Sequence, residues 1–129
     1  MKTTTVWKTG QLFDSTYNDF KIETGSGSFS PKALLLSGLA GCSGIDVVLI
    51  LEKMRVPFAN LQIEVETEQT DGEPKVFKDI RMTFTVQAAE ENKDKIRKAI
   101  DLSLEKYCGV AAMLQKHSKI DYKLLLLPE

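Results

Sequence analysis

The hydrophobic pattern changes period several times along the chain. Thr3 to Lys8 is rich in β-branched and aromatic residues and predicts a strand. Thr9-Gly10 turns it, and Gln11-Leu12-Phe13 begins the return strand of a hairpin. Asn18-Asp19 is a second turn signal, after which Phe20 and Ile22 alternate with Lys21 and Glu23 as in a half-buried strand. Gly25-Ser26-Gly27-Ser28 reads as a flexible loop, too short to link two domains. From Ala33 to Leu51 the alternation vanishes, and the only charge is Asp46. Ser30 suits an N-cap and Pro31 a first helical position, so this run predicts a long helix ending near Arg55, ahead of Pro57.

Past Pro57 period two returns. Leu61, Ile63, Val65 and Thr67 point one way; Gln62, Glu64, Glu66 and Glu68 point the other. Asp71-Gly72 turns the chain, and Ile80, Met82, Phe84 and Val86 then alternate with Asp79, Arg81, Thr83 and Thr85. These runs predict a long antiparallel hairpin with one dry face. Its acidic face can pair with Lys78 and Arg81, each solvated pair contributing under about 1 kcal/mol. Glu90 to Tyr107 is helical in period, with Ile96, Ala99, Ile100, Ser103, Leu104 and Tyr107 on one face. Gly109 interrupts it just after Cys108, Val110 to Leu114 resumes as a short helix, and Ile120, Tyr122, Leu124 and Leu126 mark a last strand. Leu124 to Leu127 is apolar on both faces. The element order predicts a single α+β domain over residues 1–129: N-terminal strands, a long buried central helix, a β-hairpin, two helices and a C-terminal strand.

A helix apolar on every side is buried on every side or lies in a membrane. The apolar run barely reaches the roughly 20 residues that span a bilayer. It contains Asp46, lacks a flanking basic cluster and stands alone among amphipathic segments, which favours a core helix over a membrane span. One domain of 129 residues rarely encloses such a helix by itself, so the pattern predicts a homodimer with two copies of the helix at its centre. Gly38, Gly41 and Gly44 weaken the helix, and close approach of another backbone would account for them.

Composition narrows the function. The net charge of −1 comes from interspersed charges, without the basic stripe that nucleic acid or a membrane surface requires. The first residues lack an apolar signal core, which predicts a cytoplasmic protein. Two cysteines in that compartment are more often free or redox-active than a structural staple. With one histidine besides, no metal site or bound cofactor is expected. Cys42 lies deep within the long helix, with Asp46 one turn on, so any activating cation or donor must come from elsewhere. Cys108 lies at a helix break; if it opens the short helix, the positive end of that helix favours its thiolate. The plain alternative for both is a small buried core residue. Tyr107 is expected in the core, Trp7 in hairpin packing, and His117 at a solvated helix end.

The stretch Gly38-Leu39-Ala40-Gly41-Cys42-Ser43-Gly44-Ile45-Asp46-Val47-Val48, preceded by Ser30-Pro31 and followed by Leu102-Ser103-Leu104-Glu105-Lys106-Tyr107-Cys108-Gly109-Val110-Ala111, resembles the OsmC/Ohr family. Nearly the whole chain follows the family's order of elements. The resemblance implies an intertwined homodimer with active sites where the subunits meet. It implies a peroxidase of the oxidative and osmotic stress response, in which Cys42 attacks an organic hydroperoxide and becomes a sulfenic acid. Cys108 then resolves it as a disulfide, and an external dithiol reduces the pair. The hydroperoxide-resistance branch also uses an arginine from the N-terminal strands and a glutamate after the proline ahead of the helix. Here Lys32 follows Pro31 and no arginine precedes Arg55, so the chain resembles a branch lacking that pair. Lys32, Asp46 and Glu105 are the candidates for tuning the thiols. The alternative is a dimeric binding module for an apolar small molecule, with no peroxidase turnover.

Overall fold

The computed structural model describes all 129 residues, in an α+β arrangement of two compact units, Met1–Ser37 and Gly38–Glu129. In the first unit, β1 (Thr4–Thr9), β2 (Leu12–Tyr17) and β3 (Phe20–Gly25) form an antiparallel meander in that order. Asn18 takes the left-handed conformation that the tight β2–β3 turn demands. The register pairs Trp7 with Phe13, Phe13 with Thr24, Ser15 with Ile22, and Tyr17 with Phe20. One face of this sheet is therefore aromatic. On the other, Lys8 reaches Glu23 at 2.7 Å and Asp14 at 3.4 Å.

The alternation of Phe20 and Ile22 holds, but their expected half-burial does not. Phe20 is 74% exposed, Ile22 is exposed as well, and only Thr24 is buried on that strand. Trp7 is likewise exposed rather than packed; its indole N–H donates to the Gly10 carbonyl at 2.9 Å.

The Gly-Ser stretch is a hydrogen-bonded turn instead of a flexible loop. Gly25 N–H donates to the Phe29 carbonyl at 2.9 Å, Ser26 N–H to the Gln11 carbonyl at 3.3 Å, and the Ser28 hydroxyl to the Glu23 carbonyl at 3.3 Å. Gly25 has φ +129°, and a Cβ there would lie 1.9 Å from the Gln11 carbonyl oxygen. Only glycine fits. The turn delivers the chain to α1 (Pro31–Lys53), where the Ser30 hydroxyl oxygen accepts from Ala33 N–H at 3.4 Å as an N-cap.

The second unit contains the rest of α1, then β4 (Ala59–Gln69), β5 (Phe77–Gln87), a 3₁₀ turn (Glu90–Asn92), α2 (Lys93–Leu102), a π turn (Ser103–Tyr107), α3 (Gly109–Leu114) and β6 (Ile120–Leu127). The single helix expected from Glu90 to Tyr107 is thus three consecutive helical forms. The sheet order is β4-β5-β6, antiparallel between β4 and β5 and parallel between β5 and β6, with α2 and α3 in the crossover. Arg81 of β5 forks onto Glu68 of β4, as the charge pattern predicts. Centre strand β5 contributes Ile80, Met82, Phe84 and Val86 to the core, which also takes Ile96, Ala99 and Ile100 of α2.

α1 contributes a narrow stripe to that core, Leu39, Ser43, Val47 and Leu51, spaced by four residues. It ends in a left-handed Arg55, with Val56 N–H reaching back to the Leu51 carbonyl at 2.9 Å and Arg55 N–H to the Glu52 carbonyl at 3.0 Å. Burial on all sides is not what the chain alone achieves: Leu35, Ile45 and Leu49 are exposed. Nor does a backbone of the same chain approach the glycines. A Cβ on Gly44 would meet Ile63 Cδ1 at 3.1 Å, while Gly38 and Gly41 face open space.

Gly25→Ala should lower stability by at least ~2 kcal/mol, because it combines a forbidden φ with a backbone clash. Chemical denaturation of the variant measures this. An unchanged midpoint would mean that the turn rearranges freely.

Candidate functional site

Cys42 and Cys108 are both free thiols, and the two sit in different surroundings. Cys42 rides on α1, half-buried, one turn before Asp46, and packs against the core. Cys108 is the N-cap of α3 and only 3% exposed. Its sulfur accepts from Ala111 N–H at 3.3 Å, and its own N–H donates to the Ser103 carbonyl at 2.7 Å, closing the π turn.

A buried polar network ties that turn to α1. Ser103 and Ser43 are fully buried, their hydroxyl oxygens 2.9 Å apart, and the Ser103 hydroxyl lies 3.0 Å from Asp46 Oδ2. A hydroxyl has one proton to give. The Ser103 hydroxyl donates, with the Asp46 carboxylate, an acceptor alone when ionised, and the Ser43 hydroxyl oxygen both placed to accept. Every member is satisfied, as burial requires. Sequence reasoning missed this network. Its signal was two serines at positions where the helical period demanded apolar residues.

The helix end does not favour a Cys108 thiolate, contrary to the sequence expectation. Burial pushes this thiol from its ordinary 9.0 up to about 11. Interaction with the Cys42 side chain and the negative charge of Asp46 push the same way, and the Ala111 N–H opposes them. A helix of one and a half turns has too weak a dipole to outweigh loss of hydration. Cys42 packs against the core cluster that contains Cys108.

The remaining candidates separate. Asp46 belongs to the site. Lys32 is half-buried in the first turn of α1, in the N-terminal unit. Glu105 is exposed on the π turn. Tyr107 is 53% exposed, not in the core, with Lys106 Nζ 5.3 Å from its ring centre. The π turn accounts for this: its i→i+5 spacing holds extra chain per turn and rotates Tyr107 off the apolar face. Tyr107 instead edges an opening of about 260 Å³ lined by Asp46, Leu49, Ile50 and Lys53. A larger apolar groove of about 520 Å³ runs along Ala40, Gly41, Gly44, Ile45, Val48, Leu61 and Ile63. His117 is exposed after α3, as expected.

Together these features define a small α+β protein with two neighbouring free thiols, one half-open on a long helix and one buried behind it. The chain belongs to the OsmC-like protein family, which matches residues 24–123. It is 37% identical to protein YhfA of Escherichia coli K12 over 93 residues, covering 72% of this chain and 69% of that one. Among solved structures, a protein of Aquifex aeolicus VF5 superimposes with TM-score 0.91 at 25% identity, covering 99% of this chain and 96% of that one. The organic hydroperoxide resistance protein OhrB of Bacillus subtilis shares the fold at TM-score 0.65 and 16% identity, over 95% of this chain and 96% of its own.

The raised pKa of Cys108 fixes the sign of a pH effect. Below pH 9.0 native and unfolded chains both hold the proton, and the stabilisation is full. Between 9.0 and about 11 the unfolded chain has released the proton while the native one keeps it, so stability falls as pH rises. Tyr122 is pushed to about 12, chiefly by burial, and adds the same sign at higher pH. Stability curves of wild type and Cys108→Ser from pH 8 to 10 should therefore show the steeper decline in wild type. Equal slopes would contradict a buried, protonated Cys108.

Proposed function

We propose that this protein is a two-cysteine, thiol-dependent peroxidase that reduces organic hydroperoxides as a cytoplasmic homodimer during oxidative or osmotic stress. The observation that carries the reading is the asymmetry of the paired thiols. Cys42 is half-open and can meet a peroxide; Cys108 is buried behind it and protonated. Cys42 sulfur attacks the peroxide, the O–O bond breaks, an alcohol leaves, and Cys42 becomes a sulfenic acid. Cys108 sulfur then displaces the hydroxyl, which leaves as water, and an S–S bond forms. An external dithiol restores both thiols by exchange.

Family membership supports this reading, as does the hydroperoxide-resistance protein that shares the fold. Exposed Ile45 and Leu49 on α1, and Trp7, Phe20 and Ile22 on the N-terminal sheet, support the homodimer, since each needs cover. One observation favours the binding-module alternative: the apolar groove along α1 and β4 has the size and lining of a small-molecule site.

Reduced protein given one equivalent of cumene hydroperoxide should lose two hydrogens in intact mass, with Cys42 and Cys108 joined in one peptide pair. Cys42→Ser should abolish peroxide consumption, and Cys108→Ser should stop after one turnover with Cys42 as sulfenic acid or its over-oxidised forms. Thiols that stay reduced under several organic hydroperoxides would leave the binding module as the reading.

A further inference from the structure

We propose that Asp46 and Ser103 are positioning residues for Cys108: through them α1 holds the π turn so that the Cys108 sulfur stays beside Cys42 and closes a disulfide on it. The inference deepens the peroxidase reading and rests on it only for the source of oxidised Cys42. The geometry runs through one residue. The side chain of Ser103 is held to α1, 3.0 Å from Asp46 Oδ2 and 2.9 Å from Ser43 Oγ. The backbone carbonyl of the same Ser103 takes the N–H of Cys108 at 2.7 Å. One serine therefore links the helix that carries the first thiol to the backbone that carries the second.

The π turn makes that link necessary. An i→i+5 turn is rare. Continuing α2 as an ordinary helix past Leu102 would rotate residue 108 away from the direction the π turn gives it. The Ser103 hydroxyl is fully buried and shared between α1 and the turn. A hydrogen bond to a charged acceptor in such a place is stronger than a neutral one. Asp46 is not a group that touches the peroxide in this account. It acts on closure, the step in which Cys42–SOH and Cys108–SH give the disulfide and water, or Cys42 in mixed disulfide with glutathione and Cys108–SH give the disulfide and reduced glutathione.

The test reads the two steps apart in the full-length chain, using Asp46→Ala, Ser103→Ala and Asp46→Asn. Cumene hydroperoxide with dimedone trapping reports sulfenic acid on Cys42. A glutathione redox buffer reports the rate and equilibrium of disulfide closure without any peroxide. Ser103→Ala should form sulfenic acid at the wild-type rate, and both Asp46→Ala and Ser103→Ala should close the disulfide about tenfold more slowly, the scale of one lost hydrogen bond to a charged group. Their dimedone adduct should accumulate, and the glutathione equilibrium should shift toward the dithiol by a similar factor. Asp46→Asn keeps an oxygen that accepts from Ser103 and should stay within about twofold of wild type. A general loss of packing would not spare the first step or be rescued by asparagine. Unchanged closure in Ser103→Ala, or Asp46→Asn falling as far as Asp46→Ala, overturns the proposal. If no form reacts with hydroperoxide, the peroxidase reading fails while the glutathione measurement still decides the positioning role. Should Asp46→Ala not fold, Ser103→Ala decides it.

Discussion

The structure depends on a helix with more apolar surface than its own chain covers. α1 has 23 residues, and the chain buries only Leu39, Ser43, Val47 and Leu51 along it. Hydrophobic burial contributes roughly 25 cal/mol for each Å² removed from water, so an uncovered apolar flank is a standing cost. The N-terminal sheet carries a second such surface in Trp7, Phe20 and Ile22. By length and composition α1 could also cross a membrane. The Asp46 side chain, engaged by Ser103 from the π turn, suits a helix packed in protein. The proposed homodimer would supply the cover.

The same helix organises the chemistry. Its buried stripe fixes α1 against β5 and α2, which sets Cys42, Ser43 and Asp46 in place together. Ser43 is the one polar residue on that stripe, and burying its hydroxyl is tolerable because Ser103 answers it. The network therefore joins packing to reactivity. It ties the segment that holds Cys108 to α1, while burial keeps the Cys108 sulfur protonated.

Much of the fold was legible because it follows from local rules. Alternation gave β4 and β5, Ser30-Pro31 marked the start of α1, and Asn18-Asp19 marked the β2–β3 turn. The family was legible through the motifs around Cys42 and Cys108. What was not legible depends on three-dimensional context. A helical wheel assumes one period, so the change of pitch at Ser103 misplaced Tyr107. Gly44 of α1 makes room for the Ile63 side chain, a contact no sequence pattern announces. A helix-end argument for Cys108 could not register burial, which proved the larger effect on its thiol. The parallel pairing of β6 with β5 follows from the path of α2 and α3 rather than from any feature of Ile120 to Leu127.

Sedimentation equilibrium of the reduced protein across nanomolar to micromolar concentrations tests the cover of α1 most directly. A homodimer that persists to low concentration and loses its fold as it dissociates is the predicted result, because an obligate pair has no stable folded monomer. A folded, soluble monomer at micromolar concentration would contradict it, leaving the flank of Ile45 and Leu49 exposed with no second copy to cover it.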